Sequence, residues 1–113
     1  MNRKMLPTGA VSMRTEHAFD FTGGHVPGTY EVETRIVMDG GGLHPLDSMY
    51  GSTEVVDDEA AAMAVASRKE ADFAEDGVDW DGEGFFISIS VWRWITETAR
   101  KRLSTVELAP VAC

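Results

Sequence analysis

The run Ala60-Ala61-Ala62-Met63-Ala64-Val65-Ala66 constrains the fold more than any other stretch of the chain. Alanine loses no side-chain entropy in a helix, so a segment this rich in it has strong helix propensity. Asp57, Asp58 and Glu59 precede it, where a helix N-terminus favours negative charge, and Asp57 is placed to cap the first turn. At about 100° per residue, Ala62, Val65, Ala66 and Phe73 share one face, with Met63 at its margin. A stripe of small side chains lets a helix lie close against a sheet. Gly77 is a suitable residue to end it.

Alternating segments on both sides supply the sheet. Val11, Met13, Thr15, His17, Phe19 and Phe21 alternate with Ser12, Arg14, Glu16, Ala18 and Asp20, which predicts a strand with one buried face. Turn residues over 22–28 end it. A second strand follows, with Tyr30, Val32, Thr34, Ile36 and Met38 on one face and Glu31, Glu33 and Arg35 on the other. Together they read as an antiparallel hairpin with a long loop. Residues 43–52 lack a period and read as an irregular connection, with a short strand near Thr53 to Val56.

After the helix, Phe85, Ile87, Ile89 and Val91 form a core face. Phe86, Ser88, Ser90, Trp92 and Trp94 lie opposite, on a face partly exposed or covered by the C-terminal segment. Ile95, Ala99 and Leu103 recur at i, i+4, i+8, which predicts a short C-terminal helix with Arg100-Lys101-Arg102 complementing its end. Residues 1–10 read as a flexible leader and 107–113 as a tail. The expectation is therefore an α+β fold in a single domain, 1–113. An antiparallel β-sheet of three to four strands packs against one alanine-rich helix, with the short C-terminal helix closing it.

Charge is local. The window from Glu54 to Gly84 holds eleven of the nineteen acidic residues, opposed only by Arg68 and Lys69. The rest of the chain is balanced, so the whole net charge of -9 belongs to one region and marks a surface. Asp72, Glu75 and Asp76 crowd the expected helix C-terminus, where the dipole favours cations. Asp79, Asp81 and Glu83 extend the cluster, and Trp80 sits among them. A broken local rule without compensation is where function is expected. An acidic surface excludes phosphate neutralisation as a mode of nucleic-acid binding and suits a basic partner. Tryptophan in a charged rim is a typical interface anchor.

Motifs for catalysis are missing. Asp76 to Gly84 alternates acids like a calcium loop, but aligning Gly82 with the invariant EF-hand glycine places Gly77 and Ser88 at ligand positions. His17, His25 and His44 carry no paired metal spacing. The glycine runs do not open a helix in a phosphate-binding pattern. No catalytic residue, cofactor or metal is expected. The single cysteine, Cys113, and the short apolar runs predict a cytoplasmic protein without membrane contact.

Val26-Pro27-Gly28-Thr29-Tyr30-Glu31-Val32 opens a strand, and Asp58-Glu59-Ala60-Ala61-Ala62-Met63-Ala64 opens the helix before the sheet is closed. From Val26 to Val91 this layout resembles small phage-encoded anti-CRISPR proteins that act on type I CRISPR surveillance complexes. The segment from Asp39 to Ser52 and the chain after Trp92 have no counterpart in that likeness. The resemblance implies a non-enzymatic inhibitor, of phage or mobile-element origin, that occludes a DNA-binding or nuclease-recruiting surface. Such families share no fixed active residues, so none are carried over.

The expected function is thus an acidic protein-binding inhibitor that docks on a basic protein or ribonucleoprotein complex and blocks DNA recognition, either as a DNA mimic or by blocking elsewhere on the partner. It would bind no nucleic acid directly. Its expected partner-binding residues are Asp58, Glu59, Asp72, Glu75, Asp76, Asp79, Trp80, Asp81 and Glu83. The alternatives are a subunit or scaffold component of an assembly, and a small metal-dependent enzyme using His25 and His44.

Overall fold

A computed structural model describes residues 5–12, 16–19, 24–38, 40–75 and 85–110. The α+β class, and the antiparallel sheet packed by the alanine-rich helix, are as the sequence predicts. Strands β1 (Met5–Ser12), β2 (Glu16–Phe19) and β3 (Tyr30–Met38) precede a four-residue helix, α1 (Asp47–Tyr50). Strand β4 (Ser52–Val56), helix α2 (Glu59–Glu75), β5 (Phe85–Trp94) and β6 (Ala99–Pro110) follow. The strands form one six-stranded sheet in the order β1-β6-β5-β3-β4, with β2 also pairing β6. Every pairing is antiparallel.

The core lies between one face of this sheet and α2. On β5, Phe85, Ile87, Ile89 and Val91 are buried, opposite Val32, Thr34 and Ile36 of β3 and Leu108 of β6. Ala62 is fully buried against them, and Met63, Val65, Ala66 and Phe73 pack at the margin. These are the helix residues that the periodicity selects. Their small size lets α2 sit close enough to bury the β-branched rows below.

Several local expectations are corrected. The predicted C-terminal helix is strand β6, and Ala99, Arg100, Lys101, Arg102 and Leu103 lie in it. Spacing by four residues fits a strand's period of two as well as a helical turn, and pairing with β5 decides between them. Residues 5–10 of the supposed leader belong to β1, and 107–110 of the supposed tail belong to β6. Met5 to Pro7 pair with Pro110 to Leu108, so each terminal segment gives the other its hydrogen-bond partner.

Of the alternating run from Val11 to Phe21, Val11 and Ser12 lie in β1 and Glu16 to Phe19 in β2, both alongside β6, and the rest lies outside the described residues. It makes no hairpin with β3, whose neighbours are β4 and β5. The supposedly irregular connection contains α1, while β4 covers the expected short strand. Between β3 and α1, Gly41 and Gly42 adopt φ of 97° and 81°, a turn that side chains with a Cβ disfavour. Helix α2 is capped one residue later than expected: Asp58 Oδ1 accepts the Ala61 N–H at 2.7 Å.

Candidate functional site

Asp57, Asp58, Glu59 and Asp72 are exposed, and Glu70 is half-buried. Asp58 and Glu59 sit at the α2 N-terminus, while Asp72 and Glu75 lie in its last turn, which contains no basic residue. The helix separates the two groups by about 25 Å. Among the described residues, the only ion pair that α2 makes is Arg68 with Glu54 of β4, at 3.8 Å between largely exposed side chains. The side chain of Glu75 and all of Asp76, Asp79, Trp80, Asp81 and Glu83 lie outside the described residues, as does the calcium-like loop.

Basic residues of the sheet are treated differently. Glu31, Glu33 and Arg35 project from β3 on the face away from α2, level with Trp92, Ser90 and Ser88 of β5. Arg100 and Arg102 project beside Trp94 and Trp92 from β6. Arg100 donates to Glu31 and, at 3.5 Å, to Glu33. Its guanidinium also lies 3.9 Å from the centroid of the Trp92 ring and 5.6 Å from that of Trp94. Arg102 approaches Trp92 at 5.4 Å. From Glu33 the network continues to Arg35 at 3.6 Å and on to Asp47 of α1, also at 3.6 Å. Asp47 Oδ1 additionally accepts the Ile36 N–H at 2.9 Å, which fixes α1 to the edge of β3.

This arrangement explains why Trp92 and Trp94, on the non-helical face, are nevertheless buried. Guanidinium planes cover indole faces through cation–π attraction, and the carboxylates hold the planes in place. The basic triplet Arg100-Lys101-Arg102 is therefore no helix terminus. Two of its members are structural elements of a tryptophan-arginine layer.

Among the described residues, His25 and His44 are not brought together. His25 stacks on Trp94 with ring centroids 3.5 Å apart, at one end of β5. His44 Nδ1 accepts the Leu46 N–H at 3.1 Å, and its ring leans on Phe85 at the other end. The ten residues of β5 separate those ends by about 30 Å, so His25 and His44 cannot serve one centre. His17 lies in β2 at the register position of Lys101. Among the described residues, no group of three His, Cys, Asp or Glu side chains comes together to hold a metal ion.

A groove of about 290 Å³ runs between α2 and the start of β4, lined by Met49, Tyr50, Ser52, Lys69, Asp72 and Phe73. Of these, only Asp72 is among the expected partner-binding residues. Met49 is 73% exposed at the rim of the groove. The groove was illegible in the sequence because it depends on α1, which is too short to show a period. No described helix is long and apolar enough to cross a membrane. The chain matches no protein-family model, no curated protein and no solved structure.

Proposed function

We propose that this chain is a non-enzymatic binding protein whose acidic helix docks on a basic, nucleic-acid-handling protein or ribonucleoprotein and inhibits it. One observation carries the reading. Glu31 and Glu33 of β3 and Asp47 of α1 engage Arg35 and Arg100, while Asp57 and Asp58 just before α2, and Glu59 and Asp72 on it, stay exposed with no ion pair among the described residues. Unopposed carboxylates at both ends of a rigid rod present spaced negative charge, as a phosphate backbone does. Such a surface accelerates encounter with a basic partner and fixes its orientation. A type I CRISPR surveillance complex, with its DNA-binding channel, is a target of this chemistry and accords with the sequence resemblance.

The test is capture from host lysate at ~100 mM and ~500 mM salt, with and without competing duplex DNA. The variant Asp58→Asn/Glu59→Gln/Asp72→Asn is run in parallel. A nucleic-acid-handling protein retained only by wild type at low salt, and displaced by DNA, is the expected result. Retention indifferent to salt, to DNA and to the substitutions overturns the inhibitor. A second reading, a subunit of a larger assembly, draws on a separate observation: Met49 and Val55 are exposed beside a sheet edge that has no further strand among the described residues. Attachment that persists at high salt favours it.

A further inference from the structure

Strand β4 ends the sheet. Among the described residues it pairs only with β3, so the backbone groups on its far side have no strand to meet. A strand directs alternate N–H and C=O groups to its two sides, which makes such an edge a template for another strand. Natural edges are blunted by proline, bulges, lysine, short length or an inward-pointing charge. Ser52 to Val56 contains no proline or lysine and its register with β3 is unbroken, so its guards are its five-residue length and Glu54, half-buried on the α2 side.

The groove adjoins this edge. Ser52, Glu54 and Val56 lie opposite Thr34, Val32 and Tyr30 and so share the α2 side of the sheet. Ser52 also lines the groove with Met49, Tyr50 and Phe73. An added strand would therefore aim alternate side chains at the groove and at Glu54. Thr53 and Val55, both exposed, would meet the intervening ones.

Charge selects the occupant. A second copy of the chain, paired antiparallel about the middle of β4, would set Glu54 directly opposite its own equivalent, and like charges there are destabilising. Each copy would also bring a net charge of -9. A strand carrying lysine or arginine meets Glu54, which Arg68 approaches only to 3.8 Å, and beyond it the exposed Asp57 and Asp58, with attraction instead.

We infer that the free edge of β4 takes up an extended basic segment of the partner by strand addition. The segment pairs through its main chain, seats one apolar side chain in the groove beside Ser52, and sets a cation against Glu54. The basic character of the segment rests on the acidic docking proposed above; the strand pairing does not.

A capped probe peptide, TLTKTKT, tests this by amide NMR titration of the full chain. Two further copies are N-methylated at alternate residues, one along each backbone edge, and another carries glutamate in place of lysine. The expected shifts map to Ser52–Val56 and to Lys69–Phe73. One methylated copy should bind about tenfold more weakly while the other matches the parent, because an added strand pairs along a single edge. The glutamate copy should also lose about tenfold.

Equal binding by both methylated copies, or no shifts at β4 at millimolar peptide, overturns strand addition. It does so even where the amide variants of α2 abolish lysate capture, so the two proposals fail separately. A glutamate copy that binds as tightly as the parent overturns the basic occupant. A dimer in sedimentation with β4 amides already protected assigns the edge to a second copy and likewise overturns the inference.

Discussion

Helix α2 and strand β6 both carry dense charge, and the fold treats the two in opposite ways. On β6, Arg100 is held by Glu31 and Glu33 and lies over tryptophan, with its side chain 17% exposed. At the ends of α2, Asp58, Glu59 and Asp72 face solvent and make no ion pair with the sheet among the described residues. Charge brought into a layer of neighbours becomes part of the structure. Charge left on a helix surface is available to another molecule.

Breaking the β6 side should have the largest effect. Arg100→Ala leaves Glu31 buried without its cation, and should cost about 3 kcal/mol in urea-induced unfolding. The double variant Glu31→Leu/Arg100→Leu removes both charges together and should recover most of that loss. If both variants are equally destabilised, packing on Trp92 rather than charge pairing holds the layer. At the start of α2, Asp58→Ala removes the observed cap and should cost about 1 kcal/mol, read from the same unfolding curves. Asp57→Ala, by contrast, should change little, because the cap lies one residue later. At the far end, Asp72→Asn should stabilise the protein by a few tenths of a kcal/mol, by relieving repulsion from the helix dipole. A loss of stability there would mean that Asp72 has a structural partner, and would weaken its assignment to a docking surface.

Much of the fold was legible because its signals are local. The alanine run, the acids before it and the residues of α2 that face the core follow from a period of 3.6, and the inner faces of β3 and β5 follow from a period of two. The acidic candidates Asp58, Glu59 and Asp72 were legible for the same reason, since composition alone concentrates them. Two misreadings share one cause. Ala99 and Leu103 fit either period, and residues 5–10 look unstructured until β6 lies beside them. For Trp92 and Trp94 the sequence left open exposure or cover by the C-terminal segment, and Arg100 of β6 supplies the cover.

The sequence by itself therefore determined the α+β class, the position of α2, the apolar rows it covers and the confinement of net charge to one region. Only the tertiary structure decided which charges are neutralised, that β4 lies at one end of the sheet and where the groove opens. Arg100 and Glu31 are 69 residues apart in the chain. No periodicity spans that separation. Pairing of distant strands sets the neighbours of a side chain, and those neighbours determine whether a charge is buried in a network or presented to a partner.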